Sequence, residues 1–392
     1  MNNQIQSNSY ALQNIIRDRI TASPQQKITF AEFMDVVLYH PQYGYYSSGV
    51  VEIGSGGDFF TASSLGKDFG ELLAIQFVEM WLKMDCPNDF CLVEVGAGNG
   101  NLAFDIFNYL QNNQQDFFQT LKYIIIEESP ALKKRQQELL QEFKDQIVWR
   151  SLLELPDNSL VGCVFSNELI DAFPVNQVII NQGKLQEVYL TNLENQITEV
   201  YGELSTSKIL EYFQLVKLNF PSKDYPESYR TEVNLAALDW LKTIAHKLQQ
   251  GYLLTIDYGY PAHKYYHPQR SQGTLQCYYQ HRRHNNPYLN LGYQDLTTHV
   301  DFTALEVEGN KWGLTKISFT QQGMFLMALG LGDRLSNLAN GNYSALEVIQ
   351  RRDALHQLIN PSGLGGFGVL LQAKGLKTDQ HLLKGFTIPP LT

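Results

Sequence analysis

The chain has 392 residues, 44% of them hydrophobic, enough for one large domain with an insertion or for two domains. Its formal charge of −10 at pH 7 and its pI of about 5.4 argue against binding a phosphate backbone, so no nucleic-acid partner is expected. With 22 Tyr and 21 Phe it does not have the composition of a disordered chain.

The opening "MNNQIQSNSYALQN" is rich in Asn and Gln and lacks a basic head before an apolar core, so it does not read as a secretory signal. Arg17 and Arg19 are too sparse for a transit peptide. No apolar run approaches the roughly 18 residues a membrane helix needs, so no membrane insertion is expected. A soluble protein of the cytoplasm is expected, or of the mitochondrial matrix if the source is eukaryotic. The four cysteines, Cys86, Cys91, Cys163 and Cys277, form no C-x-x-C pair. Cys91 and Cys163 sit in strand-like runs as buried free thiols, which suits a reducing compartment.

Residues 1–90 read as an N-terminal helical extension. Within it, "KITFAEFMDVVLYHPQYGYY" gives a helix with Thr29 and Glu32 as a capping box and Pro41 and Gly44 as its stop. "EIGSGGDFFTASS" reads as a loop, and "LGKDFGELLAIQFVEMWLKM" as an amphipathic helix. Over 91–183 apolar strands alternate with helices. "CLVEV", "KYIIIEE", "IVW" and "LVGCVFSNE" are the strands; "NLAFDIFNYL" and "PALKKRQQELLQEF" are the helices, the latter with Pro130 near its first position. This alternation predicts an α/β fold, a parallel sheet with helices on both faces.

After Pro174 the pattern becomes period-two: "VNQVII", "KLQEVYL" and "ITEVYGEL" predict an antiparallel meander, followed by the short helix "SKILEYFQLVKL". Residues 184–230 are therefore read as an inserted α+β segment. The core resumes over 231–376 with the helix "EVNLAALDWLKTIAHKLQQ", for which Gly251 is the expected stop, and the buried strand "YLLTIDYG". Residues 259–300 are polar and rich in Tyr, His and Gly, a long loop or lid on the substrate side. "KISFT" and "FGVLLQAK" close the sheet, and 377–392 read as a loose tail.

Chemistry concentrates in "LVEVGAGNG". Gly96, Gly98 and Gly100 follow a strand and precede a helix, where glycine permits left-handed backbone and close approach to a ligand. The alternative is a flexible turn. Glu127 ends the next strand, placed to accept hydrogen bonds from ribose hydroxyls. Glu94 would oppose a pyrophosphate but suits a cation; its alternative is a helix-dipole contact. S-adenosyl-L-methionine has a sulfonium, an ammonium and no phosphate, so the acid favours a methyl donor over a dinucleotide.

The motifs "GGDFFTAS", "VEVGAGNG", "YIIIEESPAL", "FSNELIDAFPV", "TIDYG" and "YQDLTTHVDFTAL", in this order, resemble the MidA family of class I methyltransferases over roughly residues 10 to 375. That family includes the mitochondrial complex I assembly factor that acts as a protein arginine methyltransferase. The resemblance implies a class I S-adenosyl-L-methionine-dependent, Rossmann-like fold. It implies a protein substrate, a subunit of an NADH-dehydrogenase-like complex, methylated on arginine. The chain departs from the family at Ala62, Ser63 and Ser64, where the family often has Ser-Pro-Glu.

In this reading Gly57, Asp58, Phe59 and Thr61 close over the methionine part, with the Phe59 ring against the sulfonium or anchoring the loop. Ser151 and Leu152 flank adenine, and Asn167 orients donor or substrate. Glu168 and Asp171, three apart, would share one face of a tight helical turn and hold a guanidinium between two carboxylates; Asp171 alternatively caps the turn. His281 and His299 are candidate proton acceptors or positioning groups, or else structural. His281 and His284, a pair at i, i+3, invite a metal reading, but no cysteine or acid cluster completes the set, so no metal is expected. Two other readings remain: a non-catalytic assembly chaperone that binds donor and partner, and a dinucleotide oxidoreductase, against which Glu94 and the glycine spacing weigh.

Overall fold

The computed structural model describes residues 2–49, 61–280, 282–338 and 344–387, and of residues 2–7 the backbone alone. The chain divides into two compact units. One comprises 1–59, 170–241 and 259–308; the other comprises 60–169, 242–258 and 309–392.

The second unit is built on a seven-stranded sheet. Its strands in chain order are β1 (Cys91–Val95), β2 (Lys122–Ile126), β3 (Ile147–Arg150), β4 (Leu160–Asn167), β5 (Leu248–Asp257), β6 (Thr315–Gln321) and β7 (Gly368–Lys374). The spatial order is β3-β2-β1-β4-β5-β7-β6. The first five are mutually parallel, and β7 runs antiparallel to both β5 and β6. The order reverses between β1 and β4, and in an open α/β sheet the crevice outside the carboxyl ends at such a point is where ligands bind. Helices α1 (Asp68–Lys83), α2 (Asn101–Asn113) and α3 (Pro130–Leu139) connect and cover the strands. Pro130 stands at the first turn of α3, with the Ser129 side chain as N-cap. Phe69, Phe77, Phe90, Phe107, Tyr123 and Phe165 are all fully buried in its core. The parallel sheet expected from the strand–helix alternation, and the Rossmann-like fold the family resemblance implies, are observed.

Glycine sets the spacing between two central strands. Gly162 of β4 and Gly251 of β5 are directly paired, with φ of 141° and 139°. A Cβ added at Gly251 would lie 1.8 Å from the Gly162 carbonyl oxygen, and one at Gly162 would lie 2.2 Å from that of Cys91. Gly251 is thus a strand residue and not the helix stop expected from the sequence. The helix ends at Lys247 and passes directly into β5. Lys374 Nζ donates to the carbonyls of Ala245 and Leu248 there, which satisfies groups the helix end leaves unpaired.

The tail is also better anchored than its composition suggests. Tyr252 donates to the Gln380 carbonyl at 2.7 Å, the Gly385 N–H donates to Gln76 at 3.0 Å, and Leu383 is buried.

The first unit carries a five-stranded antiparallel sheet. The meander Asn176–Asn181, Lys184–Leu193 and Gln196–Gly202 forms as expected. It is joined by Lys27–Thr29 and by Arg230–Val233, strands brought from distant parts of the chain. The helix Phe30–Tyr39 has the predicted Thr29–Glu32 capping box. The segment expected to be one long loop contains a small three-stranded sheet, Gln276–Tyr279, Arg282–His284 and Asp295–Thr297. Its hydroxyls and amides are tied to the buried carboxylate of Glu232, which accepts from Thr274 N at 2.9 Å and Thr274 Oγ1 at 3.0 Å. That anchoring explains why a polar segment is ordered.

Candidate functional site

The site is built at the carboxyl ends of β1, β2 and β4. After Val95 the chain turns through Gly96, Gly98 and Gly100, with φ of 73°, 53° and 85°, all in the left-handed region that favours glycine. The Gly96 N–H donates to the Ile126 carbonyl at 3.0 Å, which ties the turn to β2. Gly100 is the N-cap residue of α2. A Cβ added at Gly96 would press on Leu169 at 2.7 Å, whereas one at Gly98 would meet nothing within 4 Å. Among the described residues nothing therefore covers the Gly98 face of the turn.

Glu94 lies one residue inside the end of β1 and is 3% exposed. Its carboxylate accepts a 2.7 Å hydrogen bond from Tyr123 Oη. Burial pushes its pKa up to about 7, the Tyr123 bond opposes the rise, and the charge of Glu127 adds to it. Glu127 follows β2. Its Oε1 accepts from Ser129 N at 2.9 Å and its Oε2 from Gln136 Nε2 at 3.0 Å. Its pKa is raised by burial and partly restored by these bonds. Gln136, on α3, also donates to the Gly98 carbonyl at 2.8 Å and accepts from Trp149 Nε1 at 2.9 Å. Ser151 caps the turn Leu152–Glu154: its Oγ accepts from Glu154 N at 3.3 Å, and Glu154 Oε2 accepts from Ser151 N at 2.8 Å.

At the end of β4, Asn167 Nδ2 donates to Glu168 Oε1 at 3.1 Å, and the backbone N–H of Ala62 donates to the same oxygen at 3.2 Å. Glu168 has φ of 53°, a left-handed conformation in a side-chain-bearing residue. Such strain persists only where surrounding bonds enforce it, and it concentrates at functional positions. Among the described residues Asn167 Oδ1 is buried without a hydrogen-bond partner. Thr61, the last residue of the "GDFFT" motif, has its N–H bound to Ser64 Oγ at 3.1 Å. Gly57, Asp58 and Phe59 lie outside the described residues, as does His281.

The helical pairing expected of Glu168 and Asp171 does not form. The 3-10 turn spans Ile170–Ala172, and Glu168 precedes it in its left-handed conformation. Asp171 belongs to the first unit, where it is buried and its carbonyl accepts from Thr298 N at 2.8 Å. His299, also of that unit, packs edge-on against Tyr260 with ring centroids 5.0 Å apart. Burial, with Arg270 and Arg283 nearby, lowers its pKa to about 4, so it is neutral at pH 7. Among the described residues no group of three or more His, Cys, Asp or Glu converges to hold a metal ion.

Sequence reasoning passed over Tyr123, Gln136, Trp149 and Ala62. Gln136 sits in the polar run "KKRQQELL", which reads as a solvated helix face, yet it is fully buried. Ala62 contributes through its backbone, which no side-chain pattern reveals.

Residues 72–320 match the model of a family described as "Putative S-adenosyl-L-methionine-dependent methyltransferase", more than half of the chain. The chain belongs to this family. It is the MidA-type family its motifs resemble, and S-adenosyl-L-methionine is its cofactor. Similar curated proteins include the "Protein arginine methyltransferase NDUFAF7 homolog, mitochondrial" of Drosophila melanogaster, 29% identical over 86% of this chain and 79% of that protein. The Danio rerio "Protein arginine methyltransferase NDUFAF7, mitochondrial" is 26% identical over 90% of this chain and 86% of that protein. Among solved structures, a Burkholderia thailandensis protein crystallised with S-adenosyl-homocysteine is 28% identical. It superposes with a TM-score of 0.84 over 98% of this chain and 96% of that one. Among the described residues no helix is long and apolar enough to cross a membrane.

The residues of this MidA-type site fit such a cofactor. Among the described residues, the open face at Gly98, the unpartnered Asn167 Oδ1 and the acceptor capacity of Glu127 offer space and acceptors to a ligand carrying hydroxyls and an ammonium.

Proposed function

We propose that the chain transfers a methyl group from S-adenosyl-L-methionine to an arginine side chain of a protein partner, a subunit of an NADH-dehydrogenase-like complex. The observation that carries this reading is Glu168. A carboxylate on a left-handed residue at the carboxyl end of a central strand is held by a backbone N–H and an amide. The descriptions of the Drosophila and Danio relatives as protein arginine methyltransferases support the acceptor. Their description as mitochondrial supports that compartment for a eukaryotic source.

The roles follow from position. The glycine turn lies under the donor, and Glu127 accepts from the ribose hydroxyls. Ser151 and Leu152 flank adenine, and Asn167 Oδ1 accepts from the donor or orients the substrate. Glu94, buried beneath the turn, supplies negative charge to a cationic ligand without touching it. Thr61 faces the methionine part.

When bound, S-adenosyl-L-methionine supplies a methyl on a sulfonium, whose sulfur–carbon bond breaks as the new nitrogen–carbon bond forms. The acceptor is a poor nucleophile, because a guanidinium with a pKa above about 12 stays protonated and delocalised. Glu168 accepts hydrogen bonds from it, draws its positive charge toward one nitrogen, and leaves another aligned for transfer. The proton lost by the methylated nitrogen passes to the Glu168 carboxylate. One carboxylate suffices for this, so Asp171 and His299 carry no step.

Incubation of the chain with methyl-labelled donor and purified subunits of such a complex tests the reading. Label is expected on arginine. Label on another residue type, or none, contradicts it, and donor binding without any product would favour the chaperone.

A further inference from the structure

The side-chain amide of Gln136 is fully buried and has its oxygen and both its N–H groups engaged. It donates to the Gly98 carbonyl at 2.8 Å and to Glu127 Oε2 at 3.0 Å, and accepts from Trp149 Nε1 at 2.9 Å. Its orientation follows from chemistry. An indole N–H only donates, so the amide oxygen must face Trp149; a carbonyl and a carboxylate only accept, so the NH2 must face Gly98 and Glu127. A flipped amide would oppose donor to donor and acceptor to acceptor. The fit is close, since a Cβ added at Gly100 would lie 3.3 Å from Gln136 Cγ.

With both donors spent, Gln136 has no N–H left for a ligand. It joins three elements instead: the glycine turn after β1, the acid after β2 and the indole on edge strand β3. Each Glu127 oxygen already accepts one fixed bond, from Ser129 N or from Gln136. The Glu128 N–H also reaches this carboxylate, and the acceptor capacity left on its two oxygens suits the two adjacent hydroxyls of a ribose. We propose that Gln136 is a positioning residue for the donor site, locking Glu127 and the Gly98 peptide into one frame that reads a vicinal diol, with Trp149 setting its orientation. The proposal rests on the assignment of Glu127 to the ribose.

Calorimetric titration of the full chain with S-adenosyl-homocysteine tests it through binding alone. Gln136→Met keeps the length of the side chain and removes all three bonds. It should weaken binding about tenfold, the effect of one or two lost buried hydrogen bonds. In a Glu127→Gln background the same substitution should weaken binding less than about twofold further, because Gln136 acts through Glu127. A residue that merely packs would lower the melting temperature and leave the affinity of the folded chain unchanged, or subtract the same factor in both backgrounds; either result overturns the proposal. If Glu127→Gln alone leaves affinity unchanged, the ribose assignment itself fails. If it weakens binding while Gln136→Met does not, only the relay fails. Should Gln136→Met not fold, Trp149→Phe carries the test: a loss of about threefold supports the relay, and unchanged affinity overturns it.

Discussion

At the residue scale, the proposed function sets a carboxylate with a lowered readiness to ionise near a positively charged ligand. Burial holds Glu94 near pKa 7 despite the bond from Tyr123. A cationic ligand favours the ionised form, so donor affinity should rise with pH as Glu94 loses its proton. S-adenosyl-L-methionine is predicted to bind about tenfold more tightly at about pH 8 than at about pH 6, and Glu94→Gln should flatten this dependence. Stability moves the other way. The folded-state pKa lies above the ordinary 4.5, so the chain's preference for a protonated Glu94 is fully present below about 4.5 and lost as pH rises through about 7. Glu94→Gln should therefore gain stability relative to wild type as pH increases, read by urea unfolding across that range. The existence of the acid at this position was legible in "VEVGAG"; its burial against Tyr123 was not, because the partner lies on the neighbouring strand.

At the element scale, the sheet that presents the site depends on close strand contact. Gly251→Ala would drive a methyl group into the Gly162 carbonyl, 1.8 Å away, on a backbone with φ of 139°. It is predicted to lower stability by at least about 3 kcal/mol in urea unfolding. Gly183→Ala, with φ of 70° but nothing within 4 Å, should lower it by only about 1 kcal/mol. A second element contact is electrostatic. Asp68, at the start of α1, accepts from Arg334 Nη1 at 2.7 Å and from Arg351 Nε and Nη2 at 2.8 and 2.7 Å. Burial alone would raise its pKa, but these bonds from Arg351 and Arg334 hold it below the ordinary 3.8. Its contribution is thus present above 3.8 and lost as pH falls through the lower folded value. Arg351→Met should destabilise by about 2 kcal/mol near neutrality, with the gap to wild type narrowing in acid. The ion pairs of these arginines to Asp68, more than 260 residues away, were not legible in the sequence.

At the scale of the whole molecule, local signals survived and long-range ones did not. Apolar strand runs between amphipathic helices made the parallel sheet readable, since strands buried on both faces must be apolar throughout. The first unit, by contrast, gathers three separate stretches of chain, and its sheet pairs Lys27–Thr29 with Lys184–Leu193 and Asn176–Asn181 with Arg230–Val233. Nothing local announces such pairings. The glycine turn and the acids after β1 and β2 were readable as a motif. The strained backbone of Glu168 was not, because a helical i, i+3 spacing to Asp171 fits the same letters. The chemistry proposed for the chain converges on that one carboxylate. The most direct test compares wild type with Glu168→Gln in two measurements, turnover on an arginine-bearing protein substrate and affinity for S-adenosyl-homocysteine. The account predicts a loss in kcat of at least about 100-fold, with donor affinity held within about threefold. Unchanged turnover, or a collapse of donor affinity that accounts for all of the loss, would contradict it.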